Sequence, residues 1–269
     1  MTARPLTSLP DAGSFPGLLR RYRAARRLSQ LDLALTCEIS ARHLSFLETG
    51  RANPSREMVL QLSEGLFLPL SARNSLLQAA GFAAAYPASP LTSEALGPFR
   101  RVLTEMMARH APYPALLCDR HWNVLDASPV AKTLLVALQD DPGQTNLIRM
   151  LTGSRAAEAA IVNLADMLLE MQSRIQLEAL EAGDDPVLTE LLSALEAAVA
   201  RNPLPAAQTP RSPVVPLVLR TPAGELRFLS TIAHFGTSED VTIRDLRLEL
   251  LFPADDTTRS ALEEIAASL

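Results

Sequence analysis

The sequence predicts two domains: an N-terminal all-α domain of five short helices over residues 15–82, and a C-terminal α+β domain with an antiparallel sheet over 99–269. Three observations predict this. Short, capped, amphipathic segments follow one another from Phe15 to Gly81. A Pro/Ser-rich connector, "YPASPLTSEALGP" (86–98), then interrupts them. Beyond it, alternating runs that read as strands are interleaved with helical ones. Charge divides at the same place. Residues 1–86 carry ten arginines against six carboxylates, whereas 87–269 carry fifteen cations against twenty-four carboxylates. A basic head on an acidic body points to a polyanion as partner of the head alone.

In chain order, residues 1–14 lack periodicity and read as a flexible arm. "FPGLLRRYRAARRL" places Leu18, Leu19, Tyr22 and Ala25 on one side of a helix. Ser29, followed by Asp32, predicts a capping box, with Leu28 and Leu33 at the two staple positions. Ser40 is the next expected cap, flanked by Ile39 and Leu44. Ser55, after Pro54, caps the fourth helix, and Ser71 opens a fifth that stops at Gly81. Residues 83–98 form the expected linker.

In the body, "PFRRVLTEMMARH" reads as helix, and "PALLCDRHWNVLDAS" as two strands turning at Asp119–His121. "PVAKTLLVAL", a long stretch over 155–182 and a segment from Asp185–Pro186 to Arg201 read as helices. After a Pro-rich loop, "LVLRTPAGELRFLSTIAHF" reads as a hairpin turning at Pro222–Gly224. In "IRDLRLELLFP", Leu246, Leu248 and Leu250 alternate with Arg247 and Glu249, the pattern of a half-buried strand. The tail 255–269 reads as helix, giving about five strands in all.

Several classes of function are expected to be absent. Cys37 and Cys118, the only cysteines, make neither a disulfide framework nor a four-thiolate zinc site, and a reducing cytoplasm fits them. His43, His110, His121 and His234 show no metal-ligand spacing, so no metal is expected. No run reaches the ~18 apolar residues of a membrane span, so no membrane partner is expected. HExxH, GxSxG and P-loop patterns are missing, and Lys132, the only lysine, is poorly placed for a Ser–Lys pair. The expectation is therefore not an enzyme.

What "SARHLSFLETGR" (40–51) touches follows from its spacing. Leu33, Ala34, Cys37, Ile39, Leu44 and Leu47 describe two short helices crossing steeply, a helix-turn-helix. With Leu44 and Leu47 buried, Ser40, Ala41, Arg42, His43, Ser45 and Phe46 remain for the major groove of double-stranded DNA. Arg42 suits guanine O6/N7 and Phe46 a thymine methyl. Gln30, Arg51 and Asn53 are placed for phosphates. The plainer alternative is an ordinary amphipathic helix packed on its neighbours, with Arg42 solvated.

"LSQLDLA", "ISARHLSFLETGRANPS" and "LLQAAG" make residues 15–81 resemble an Xre/Cro-type helix-turn-helix domain. The resemblance implies an ion pair between Arg23 and Glu48 that sets the angle of helix 40–48. It departs at Glu38, where the family often has Gly; a left-handed Glu38 is strained by about 1 kcal/mol. "PYPALLCDRHWNVLDAS", "NLIRML", "IVNLADMLL" and "STIAHFGTSEDVTIRDLRLELLFPAD" make residues 110–253 resemble the MmyB-like ligand-binding domain. That resemblance implies a PAS-like fold, a buried apolar cavity and fatty-acid-like ligands.

The residues themselves give modest support. Ile161, Leu164, Leu168, Met171 and Ile175 form an apolar stripe at helical spacing, with Met167 beside it. Trp122, Phe228, Ile232 and Phe235 lie on expected strands, and Arg149, Asn163 and His234 are polar groups suited to a carboxylate. Residue by residue the plainer reading is core; for the domain as a whole a ligand cavity is expected. The combined expectation is a homodimeric regulator that binds double-stranded DNA and senses a small apolar ligand, with no other cofactor. The alternatives are a body that is only an assembly scaffold, and an enzyme fused to a DNA-binding head.

Overall fold

The computed structural model describes residues 13–182, 185–204, 214–222, 224–236 and 238–269. Most of the expected arm, the middle of the Pro-rich loop and Ala223 of the hairpin turn lie outside the described residues. The chain divides into two compact units, Met1–Pro87 with Leu177–Pro186, and Ala88–Gln176 with Val187–Leu269.

The head has the five expected helices: α1 (Phe15–Ala25), α2 (Gln30–Thr36), α3 (Ala41–Glu48), α4 (Arg56–Gly65) and α5 (Leu70–Ala79). Ser29, Ser40 and Ser55 cap α2, α3 and α4, each accepting the backbone N–H three residues on. Asp32 returns a bond to the Ser29 N–H, completing the capping box. Each such cap contributes about 1 kcal/mol. The fifth helix differs from expectation: it opens at Leu70 after Pro69, and no side chain caps it. The helices converge on fully buried Leu19, Leu33, Leu44, Leu47, Leu62 and Leu76.

All five helices of the head end in the same way. The residue after the cap is left-handed, and the next N–H reaches back to the carbonyl five residues earlier. Gly50 and Gly81 take this conformation after α3 and α5, whereas Arg27, Glu38 and Phe67 take it after α1, α2 and α4. Glu38 has φ 50°, as the missing glycine in the α2–α3 turn implied.

Where α2 meets α4, Gly65 permits the approach: a Cβ there would lie 2.4 Å from Cys37 Sγ. Gly65→Ala is expected to destabilise the head by about 1–3 kcal/mol through overpacking. Cys37→Ala in the same chain should recover most of that loss. A thermal melt of Gly65→Ala that overlays the wild type would refute this account of the contact.

The body is built on one antiparallel sheet of order β2-β1-β5-β4-β3. Its strands are β1 (Ala115–Cys118), β2 (Val124–Ala127), β3 (Leu217–Thr221), β4 (Gly224–His234) and β5 (Arg247–Pro253). Helix α6 (Gly97–His110) covers one face, packing Leu103 and Met107 on Ala115, Leu117 and Leu248. The other face meets a larger core with Trp122, Phe228 and residues of α7 (Pro129–Val136), α8 (Leu147–Gly153), α9 (Arg155–Ala160), α10 (Leu164–Ala182) and α11 (Pro186–Arg201). The short α12 (Val241–Asp245), capped by Asp240, precedes β5, and α13 (Asp256–Ala267) ends the chain.

Three features depart from the pattern-based expectation. The stretch 155–182 is not one helix: after α9, Ile161 bridges Leu219 and Val162 N–H donates to Val218. Asn163 secures this break, donating to Pro216 O (2.8 Å) and accepting from Val218 N (3.1 Å). The stripe from Ile161 to Ile175 is buried nonetheless, with Ile161 contributing from the bridge. Ile243–Asp245 belong to α12, not to the following strand. Finally, β5 is central in the sheet and covered on both faces, so Arg247 is buried instead of facing solvent.

Candidate nucleic-acid interface and ligand cavity

Helix α3 is held by one carboxylate. Glu48 is wholly buried and accepts two bonds from Arg23, Nε to Oε1 at 2.5 Å and Nη2 to Oε2 at 2.9 Å. Arg23 also donates to Leu28 O, and Arg20 to Glu48 O, so α1 grips the end of α3. Gln30 at the start of α2 donates to Glu48 Oε2 (2.7 Å). One carboxylate thus ties three helices together and fixes how α3 stands on its scaffold.

With Leu44 and Leu47 turned inward, Arg42 is exposed and Ala41, His43, Ser45 and Phe46 are partly so. The Arg42 guanidinium lies 5.3 Å from the Phe46 ring centroid, a cation–π contact that limits its rotamers. Ser40 is exposed but its hydroxyl caps α3. Arg51 and Asn53 are exposed beyond the helix. Gln30 is turned towards Glu48, leaving the second hydrogen of its amide for any outside acceptor.

The body holds a cavity of about 100 Å3 between the sheet and its helical layer. Its lining is almost wholly apolar: Leu116 and Trp122 from the first hairpin, Leu134 and Leu138 around α7, Met150, Met167 and Met171 from α8 and α10, and Leu217, Leu219 and Leu251 from the sheet. Glu249 is the one charged side chain in that lining. Residues 99–265, more than half of the chain, match the family described as MmyB-like transcription regulator ligand binding domain.

The chain belongs to this family.

Residues 19–72 of this MmyB-like regulator also match the Helix-turn-helix family. Together the two matches make it a DNA-binding transcription regulator with a ligand-binding domain. No curated protein matches the chain. Among the described residues no helix is long and apolar enough to cross a membrane, and no group of three or more His, Cys, Asp or Glu could hold a metal ion.

Of the candidate ligand residues, the MmyB-like domain brings Trp122, Met167 and Met171 to the cavity wall. Phe228 is buried in the same core and Ile232 packs against it, but neither lines the cavity. Arg149 is exposed and bonded to Glu190 at 2.8 Å. Asn163 is occupied by the Pro216 and Val218 backbone, and His234 is exposed at the end of β4. The three polar groups suited to a carboxylate therefore stand away from the cavity.

Glu249 was the lining residue hidden from pattern reading, because alternation with Leu248 and Leu250 places it on a solvent face. Burial pushes its carboxyl above the usual carboxylate range and Glu170 adds to the rise; the Ser230 hydrogen bond and the Arg174 charge oppose it. Trp122, expected on a strand, is instead held at φ 65° in the left-handed turn between β1 and β2, and Phe235 lies just past the end of β4. Asp119 stabilises the turn by accepting from the N–H groups of His121 and Asn123. The guanidiniums of Arg174 and Arg247 lie 5.6 and 5.4 Å from the indole ring centroid.

Proposed function

We propose that this regulator is a cytoplasmic homodimer that reads operator DNA through α3 and senses a small apolar molecule of the fatty-acid kind in its body. The boundaries follow the sequence: arm 1–14, helix-turn-helix domain 15–82, linker 83–98, and ligand-binding and dimerisation domain 99–269. A five-stranded antiparallel sheet with helices against it supports the PAS-like description of the body.

The observation that carries the sensing function is the methionine-rich apolar cavity. Met150, Met167 and Met171 give its wall an adaptable surface that suits an alkyl chain better than a rigid polar ligand. A ligand changes DNA binding only if it prefers one spacing of the two heads over another. Paired heads read half-sites about one helical turn, or a multiple of it, apart. An operator titration that is identical with and without saturating ligand would eliminate this coupling.

On the DNA side, Arg42 contacts guanine and Phe46 a thymine methyl, while Ser40, Ala41, His43 and Ser45 lie along the groove-facing edge. Gln30, Arg51 and Asn53 hold phosphates. Arg42→Ala is expected to cost about 1–3 kcal/mol at one base position, leaving non-specific binding nearly intact. The check is anisotropy titration against an operator set varied one base pair at a time. Unchanged preference at every position would remove Arg42 from the groove.

A further inference from the structure

One helix is shared by both compact units. Up to Gln176, α10 belongs with the body; from Leu177 its last six residues belong with the head. The body half lines the cavity with Met167 and Met171 and sets Leu168 and Ile175 in the core. The head half ends on Arg26. This guanidinium donates to Leu180 O and, at 2.7 Å, to Glu181 O. It also donates to Leu66 O (3.0 Å) and Phe67 O (3.3 Å), just past the end of α4. Arg26 is the cap residue of α1, three positions beyond the Arg23 that holds Glu48 of α3. A cation is favourable at the carbonyl end of a helix, and the planar fork of arginine serves several carbonyls at once.

We propose that α10 carries the ligand signal to the DNA-reading helix, with Arg26 as a releasable grip on its last turn, a role that rests on the cavity being the sensing site. The cavity holds about 100 Å3, less than the ~150 Å3 void known to take up benzene. A fatty-acid chain longer than six carbons therefore enters only as the wall yields. The lining methionines adjust first, and two of the three sit on α10. Further yielding shifts the helix as a rod, and the far end of that rod is the turn that Arg26 grips. The gripped arrangement has the small cavity, so a long chain favours release. Release takes a tether off the end of α1, and α1 sets the angle of α3 through Arg20 and Arg23.

The full chain is titrated with straight-chain fatty acids from hexanoate to decanoate, following the emission of Trp122, the only tryptophan and a residue of the cavity wall. The acid that binds most tightly is then added at saturation to an operator titration and to an amide-exchange measurement. Two variants accompany the wild type. Arg26→Ala removes the grip. Gln176→Gly with Leu177→Gly loosens the rod at two exposed positions between its cavity half and its gripped turn. That pair leaves every bond of Arg26 in place, so it decides the matter if Arg26→Ala does not fold.

In the wild type the acid is expected to change operator affinity by at least about fivefold and to speed exchange of the 177–182 amides. Arg26→Ala should bind the acid more tightly than the wild type does, because no grip opposes entry, and both variants should lose the operator response. An operator response that survives in either folded variant overturns the inference and leaves the sensor standing. So does acid binding that leaves the 177–182 amides of the wild type unmoved, or that is no tighter in Arg26→Ala. An acid that binds the wild type with no operator response ends the ligand coupling and this route with it. If no acid of the series moves Trp122 emission, the sensing function falls as well.

Discussion

Glu48→Ala is expected to destabilise the head by about 3–5 kcal/mol. The side chain is wholly buried and receives two bonds from Arg23 and one from Gln30. Removing it strands a guanidinium that is itself mostly covered, its side chain retaining 15% of its surface. The stranded charge accounts for most of the loss, because a buried charge without a partner costs far more than an intact pair contributes. Replacing both partners with apolar residues, Arg23→Met with Glu48→Leu, should therefore recover much of it. A domain of this size has few kcal/mol in hand, so Glu48→Ala leaves it close to unfolding. Circular-dichroism melts and amide exchange along α3 measure the effect. A loss below about 1 kcal/mol would show that the pair does not hold α3.

Trp122→Ala should cost the body a similar amount, about 3–5 kcal/mol. The indole is almost fully buried, lies near two guanidiniums and forms part of the cavity wall. It also holds a left-handed backbone that is unusual for a bulky residue, a strain of order 1–3 kcal/mol that its packing must exceed. Alanine keeps the backbone strain and loses the packing, so nothing offsets the loss. Its thermal transition, read by circular dichroism, is expected to fall by roughly 10 °C. Trp122→Phe, which keeps an aromatic face for the two arginines, should fall by less than half as much. Equal losses in the two variants would mean that aromatic packing is not what holds this turn.

What could be read from the sequence was local. Ser29, Ser40 and Ser55 act within three residues of themselves, and all three cap as expected. The Arg23–Glu48 pair spans 25 residues, and only the family resemblance pointed to it. Asn163 breaks a helical pattern through partners more than fifty residues away, which no local window contains. Glu249 was hidden for a related reason. Period-two alternation assumes one wet face, and that assumption fails for a strand placed centrally by its neighbours. Arg149, suited to a ligand carboxylate by charge, pairs with Glu190 at the surface. Side-chain chemistry was legible in each case, and the direction in which it pointed was not.

The way the head's helices terminate has a practical consequence. Arg27, Glu38 and Phe67 each carry roughly 1 kcal/mol of backbone strain that glycine would not. Some of that is given back through the looser unfolded chain that glycine brings. The remainder is a reserve of thermal tolerance that the natural protein leaves unused, spread over three helix junctions, one of which, at Glu38, stands two residues before the cap of α3. An engineer seeking a hardier DNA-reading module could draw on it without replacing any residue proposed to reach bases.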